Sequence, residues 1–322
     1  MQKALALLTD DLVAVEAQFK EDLNSEVPLI RKVGEYVLAS GGKRFRPMLL
    51  LLSARLCGYE GKQHVALASV VEFIHTATLL HDDVVDSAVL RRGNTSANAV
   101  WGNEASVLVG DFLFAKSFSL MVAGGDLDVL RVLSHATTMM AEGEVQQLLN
   151  TCDITLDEER YMSVVRTKTA VLIAAACQCG AIISNVGKEQ EEALSEFGIK
   201  LGMAFQFMDD ALDYVADEEE FGKAHGHDLV EGKVTLPLIH ALQHCAADEH
   251  DRIEAILEAD EPSSEDVDFV CALISRTGGI DYTRQRALEL VEEGKSALDL
   301  FLDGDAKESL KELADYVVSR RK

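Results

Sequence analysis

Apolar positions recur along nearly the whole chain with the 3.6-residue period of an α-helix, broken by short polar stretches. The pattern predicts helices over 3–22, 27–39, 44–57, 63–86, 104–122, 126–150, 157–184, 190–216, 235–245, 250–258, 264–275, 279–300 and 305–320. Glycines mark several of the breaks, in "SGGK" (40–43), "GYEGK" (58–62) and "AGGD" (123–126). No alternating run marks a strand, and no linker rich in proline, glycine and serine divides the sequence. The expectation is therefore one all-α domain over 1–322, with 1–24 as an N-terminal helix and long antiparallel helices joined by short loops. The stretches 63–86, 157–184 and 190–216 are apolar around much of their circumference, which marks central, buried helices.

Composition supports a large helical core: 48% of the 322 residues are hydrophobic and only 4 are proline. The net charge of −25 argues against a nucleic-acid partner and against a generally basic membrane-binding face. Cys57, Cys152, Cys177, Cys179, Cys245 and Cys271 are scattered through apolar helical contexts and read as reduced thiols. Cys177 and Cys179 form a C-x-C with no second pair at ligand spacing, so a zinc site is not expected. The start, "MQKALALLTDDLVAVEAQF", is amphipathic and acidic rather than signal-like. No stretch reaches roughly 20 uninterrupted apolar residues, so no transmembrane segment is expected and the location expected is cytoplasmic.

Charge placement brings in the chemistry. "HDDVVD" (81–86) and "MDDALDY" (208–214) both end long apolar helices. In each, the first and third aspartates are four residues apart and share one helix face: Asp82 with Asp86, and Asp209 with Asp213. Such carboxylates suit Mg²⁺, which takes a few carboxylates and keeps room for water and phosphate oxygens. Asp83 and Asp210 complete the two clusters. Cations recur nearby: Lys43 and Arg46 in "GGKRFRP" (41–47), Arg91 and Arg92, Lys168 beside Thr169 in "RTKTAVL", and Lys223 and Lys233. Acidic clusters that hold Mg²⁺ among arginines and lysines are what a diphosphate requires.

The ordered set "GGKRFRP", "HDDVVD…RRG", "GEVQQL", "KTA" and "FQFMDDALDY…GK…GHDLVEGKVTLP" resembles the trans-isoprenyl diphosphate synthases over roughly 25–320. Among them it is most similar to the long-chain polyprenyl synthases that make quinone side chains. The resemblance implies the isoprenoid synthase bundle around a central cavity and a homodimer, with apolar helices in 104–150 between subunits. It implies three Mg²⁺ ions once substrate is bound. Asp82, Asp86 and Asp209 would be the metal ligands, with Asp83, Asp210 and Asp213 in support. Arg91, Lys168 and Lys233 would grip an allylic diphosphate, with Thr169, Gln206 and Lys223 nearby. Lys43, Arg46, His75 and Arg92 would hold isopentenyl diphosphate.

Ala77 and Thr78 are small where short-chain relatives carry aromatics, so the growing tail is expected to pass them toward Ile74, Val71 and Val70. Ser117, Met121, Leu133 and Met140 are the candidate opposing wall. The resemblance implies a product near C40 (C35–C50), with transient membrane contact for its release; a C15–C25 product is the shorter-chain alternative. Two positions depart from the family pattern, His227 and Ala211, and His225 with His227 is a weak metal-pair candidate. A terpene synthase, a head-to-head condensing enzyme and a non-catalytic partner subunit are the competing readings. The retained isopentenyl-site residues oppose the first two, and the two complete aspartate motifs oppose the third.

Overall fold

The computed structural model describes residues 1–39, 41–215, 226–259 and 261–320. Its described residues are overwhelmingly helical, as the periodicity predicts. By internal contacts the chain divides into two compact units. The first comprises Met1–Thr137, Leu172–Gly198 and Leu298–Leu313; the second comprises Thr138–Val171, Ile199–Ala297 and Ala314–Lys322.

In the first unit, α1 (Gln2–Leu7), α2 (Thr9–Asp22), α3 (Pro28–Ala39) and α4 (Phe45–Leu56) precede α5 (Gln63–Val85). After the short α6 (Ala97–Trp101) come α7 (Asn103–Gly124) and the start of α8 (Leu127–Leu149). Helix α5 is buried on nearly every side and packs on α2, α4 and α7. That explains its lack of a polar stripe: Val70, Val71, Phe73 and Ile74 are all shielded from solvent. Phe19 of α2 meets Phe73 edge-on with ring centroids 5.1 Å apart.

The second unit contains the later part of α8, α9 (Glu158–Val165), and the end of α11 (Lys188–Asp213), the helix that follows α10 (Val171–Ile183). The short α12 (His227–Val230) leads into α13 (Leu236–Leu242), α14 (Ala247–Leu257), α15 (Ser264–Thr277) and α16 (Gly279–Ala297). Helix α13, with Leu236, Leu238, Ile239 and Ala241 buried, packs on α9, α15 and α16. The last residues of α17 (Asp305–Ser319), and Arg320 beyond it, also belong to this unit.

The structure departs from the predicted elements in five places. The helix expected over 3–22 breaks at Leu8, where the Thr9 hydroxyl donates to the carbonyls of Leu5 (3.0 Å) and Ala6 (3.2 Å). Short helices α6 and α12 were not expected. A two-stranded hairpin pairs β1 (Leu90–Arg91) with β2 (Asn94–Thr95). Its two central residues, Arg92 (φ 53°) and Gly93 (φ 78°), both have positive φ, the signature of a type I′ turn. Finally, the helix expected over 157–184 is interrupted by a π turn at Arg166–Ala170.

That π turn sits between two glycines of the second unit. A Cβ on Gly143 of α8 would lie 2.6 Å from Thr167 Oγ1 and 2.8 Å from the Lys168 nitrogen. A Cβ on Gly202 of α11 would lie 2.5 Å from Ala170 Cα. Glycine here permits close backbone approach and forgoes helix propensity worth about 0.5–1 kcal/mol. Gly202→Ala should therefore destabilise the protein by about 1–3 kcal/mol, because overpacking against backbone exceeds the propensity gain. Urea denaturation measures this; unchanged or increased stability would show that the contact relaxes freely.

Candidate active site

The first aspartate motif ends α5 in the first unit. Asp83 is buried, and its carboxylate receives Arg91 Nε and Nη2 at 2.5 Å. Asp82 and Asp86 lie one turn apart and are half-buried. The arginine beside the acidic cluster thus neutralises its middle member, and the outer two share the more open face.

A cationic group forms in the same unit. Arg44, left-handed at φ 49°, ion-pairs with Glu16 (2.6 Å) and Glu72 (3.0 Å), so it is tied into the framework. The hairpin turn carries Arg92 to the 41–42 loop, where it donates to the Gly41 carbonyl. The guanidinium lies close over this loop: a Cβ on Gly42 would fall 2.8 Å from Arg92 Nη1. His75 is held well below the ordinary imidazole range, first by burial and then by Arg46, Arg92, Arg91 and Arg44. It stays neutral, a hydrogen-bonding group among cations suited to an anion. Lys43 lies exposed at the rim of this segment. Ala77 is buried on α5, and the Thr78 hydroxyl donates to the His75 carbonyl at 2.8 Å. Val70, Val71, Ile74, Ser117, Met121 and Leu133 are buried in the first unit; Met140 is buried in the second.

The second motif lies in the second unit, beside a cavity of about 130 Å³. Lys168, Thr169, Gln206, Asp210 and Lys233 all line it. Thr169 donates to Gln206 Oε1 (3.0 Å), and Gln206 Nε2 donates to Asp210 Oδ1 (2.8 Å). The buried Tyr161 hydroxyl donates to Asp210 Oδ2. Lys168 reaches Glu144 (2.6 Å) and Gln147, and Lys233 pairs with Glu231 (2.6 Å). Asp213 accepts from the Asp228 backbone N–H at 3.0 Å, which brings a further carboxylate into the group. Asp209, half-exposed, pairs with Arg320 at 2.8 Å.

Burial pushes the Asp210 carboxyl up to about 7, opposed by the Tyr161 and Gln206 hydrogen bonds and assisted by Asp209 and Asp213. Asp228 is raised too, by burial and then by Asp210 and Asp213, with Lys233 pulling the other way. Carboxylates that raise one another in this way lack sufficient positive charge. An all-oxygen donor set of this kind fits Mg²⁺ or Ca²⁺.

Lys223 and His225 lie outside the described residues. His227 is exposed and faces Glu231 at 3.3 Å. Ala211 is fully buried on α11. Tyr161, Glu144, Asp228 and Arg320 were not among the candidates. Tyr161 lies seven residues before Lys168, and nothing in the local sequence marks it as a partner of the second motif. Glu144 and Gln147 lie in "GEVQQL", which carried no assigned role. Outside this region, His250, Asp251 and Glu254 offer clustered ligand atoms on the face of α14.

The family comparison decides the identity, since residues 27–274 match the model of the polyprenyl synthetase family. The chain belongs to the polyprenyl synthetase family. It is 45% identical to octaprenyl diphosphate synthase of Escherichia coli (strain K12), over 99% of each chain. It superposes on polyprenyl synthase from Caulobacter crescentus CB15, complexed with calcium and isoprenyl diphosphate, with a TM-score of 0.96. That pair shares 41% identity and covers 100% of this chain and 98% of the other. A decaprenyl diphosphate synthase from Rhodobacter capsulatus gives a TM-score of 0.95 at 42% identity, covering 100% and 99%. All-α folding is thus common to this polyprenyl synthetase and its structural relatives.

The raised Asp210 has a pH consequence. Its proton is held more tightly folded than unfolded, so from its ordinary 3.8 to about 7 the folded state carries more protons and stability falls as pH rises. His75, depressed on folding, contributes the opposite slope. Comparison with Asp210→Asn isolates the carboxyl: in chelator, the variant should lose less melting temperature between pH 5 and pH 8 than the wild type. Parallel curves would remove Asp210 as the source.

Proposed function

We propose that this polyprenyl synthetase makes long-chain trans-polyprenyl diphosphates by sequential head-to-tail condensation of isopentenyl diphosphate onto an allylic diphosphate. The observation that carries this reading is the shared cavity of Lys168, Thr169, Gln206 and Lys233 with the buried carboxylate of Asp210. Extensive identity to an octaprenyl diphosphate synthase supports it. Asp82, Asp86 and Asp209 are the metal ligands in this reading, and Asp83, Asp210 and Asp213 support them. Bound Mg²⁺ would supply Lewis-acid stabilisation of the charge that develops on departing diphosphate. Lys168, Lys233 and Arg91 hold that diphosphate, each now held by a carboxylate that the substrate must replace or share. Thr169, Gln206 and Lys223 are assigned supporting roles near it.

Lys43, Arg46 and Arg92 hold the second diphosphate, and neutral His75 donates or accepts without adding charge. Positioning the isopentenyl double bond against the ionised allylic carbon supplies much of the rate. No serine or cysteine nucleophile is required. Cys177 and Cys179 fit that: burial pushes the Cys177 thiol up to about 12 and the Cys179 thiol well up too, which keeps them protonated and inert.

Among the described residues, two helical stretches are long and apolar enough to cross a membrane by length and composition. Glu158–Ile183 is 67% buried and reads as core, whereas Asn103–Gly124 is only 28% buried. Exposed Val107, Leu108 and Val122 on the latter support its use in a homodimer. Relatives named for eight isoprene units support a product of about C40 within C35–C50. A cytoplasmic enzyme with transient membrane contact during product release completes the reading.

Purified protein with Mg²⁺, labelled isopentenyl diphosphate and a C10–C20 primer should give long allylic products. Cyclic hydrocarbons, or no incorporation unless a second protein is added, would contradict this. One helical turn descends about 5.4 Å, comparable to one isoprene unit, so a block one turn below the first motif stops growth early. Ala77→Phe should give mainly C15–C20 chains by chromatography after dephosphorylation. An unchanged length would remove Ala77 from the tail path.

A further inference from the structure

Arg320 follows α17 in the second unit, and its side chain is only 8% exposed. Three contacts pin it. Nη2 donates to the Phe205 carbonyl (2.6 Å), the guanidinium carbon lies 4.0 Å from the Phe205 ring centroid, and Nη2 ion-pairs with Asp209 Oδ1 (2.8 Å). Its Nε is buried without a hydrogen-bond partner. Burying a guanidinium is costly unless the site makes use of its charge. Here the charge is spent on the first aspartate of the second motif, while one donor remains unused.

We propose that Arg320 is a placeholder cation: it occupies Asp209 until diphosphate arrives, and so couples metal loading to substrate. This rests on the reading of Asp209 as a metal ligand. A bare divalent ion approaching Asp209 meets a fixed positive charge and competes for the same carboxylate oxygen. The ring and the carbonyl of Phe205 hold the arginine there, so it does not simply move into water. An ion arriving with diphosphate faces neither obstacle in full. The phosphate oxygens offset the repulsion, and the guanidinium, with its spare Nε–H, is a strong phosphate donor. Arg320 therefore favours the metal–diphosphate pair over metal alone.

The test reads metal binding on the intact protein, without turnover. Mn²⁺ binding is followed by electron paramagnetic resonance, with and without inorganic pyrophosphate. Arg320→Gln should tighten Mn²⁺ binding about tenfold in the absence of pyrophosphate, the scale of one charge-assisted hydrogen bond, and change it little in its presence. Arg320→Lys keeps a cation and should stay near wild type. Adding Asp209→Asn to Arg320→Gln should abolish the gain, which locates it. Phe205→Leu, which retains the arginine but removes its shelf, should give an intermediate gain and decides the matter if Arg320→Gln does not fold. Unchanged or weaker binding without pyrophosphate in the folded variants would overturn the proposal. Failure of the wild type to elongate prenyl chains would instead count against the proposed function and leave this result standing.

Discussion

Each aspartate motif depends on burying its middle carboxylate and satisfying it from behind. Asp83 is held by Arg91, and Asp210 by Tyr161 and Gln206. Because the middle residue is committed inward, the first and third aspartates, one turn apart, share the more open side of the helix. A carboxylate taken out of water costs several kcal/mol unless it is paired, and the two motifs meet that cost differently. Asp83 has a full positive charge beside it. Asp210 has neutral donors only, and its raised carboxyl is the mark of the shortfall. The second unit therefore gathers Asp209, Asp210, Asp213 and Asp228 in an arrangement that is completed by added positive charge.

The π turn at Arg166–Ala170 is the other constraint. An extra residue in the turn widens the helix locally, and such turns are frequent at functional sites. Gly143 and Gly202 let neighbouring backbones close on it from α8 and α11. Thr169 then reaches Gln206, and Lys168 reaches Glu144 and Gln147. Packing and chemistry are thus linked through the same five residues, and a change meant to alter one will disturb the other.

Much of this was legible in the sequence because it depends on period. The four-residue spacing of Asp82 with Asp86 and of Asp209 with Asp213 fixes a shared face, and the apolar runs before them mark buried helices. Features that depend on contacts between distant residues were not legible. Nothing local announces that Tyr161 meets Asp210, or that Arg320 meets Asp209 from 111 positions away. The π turn was hidden because "RTKTAVL" fits ordinary helical periodicity, and only close approach by two glycines reveals the widened turn. The hairpin was a near miss. "RRGN" has the glycine of a type I′ turn, but arginine at the other left-handed position is an uncommon choice, and the strands are only two residues long.

The most direct test of the account is the location of the metal. Anomalous diffraction from crystals soaked with Mn²⁺ and pyrophosphate should place an ion within about 2.2 Å of an Asp209 carboxylate oxygen, beside the cavity lined by Lys168 and Lys233. Metal found solely on the cluster of half-buried His250 with exposed Asp251 and Glu254, and Asp209 still bound to Arg320, would contradict it.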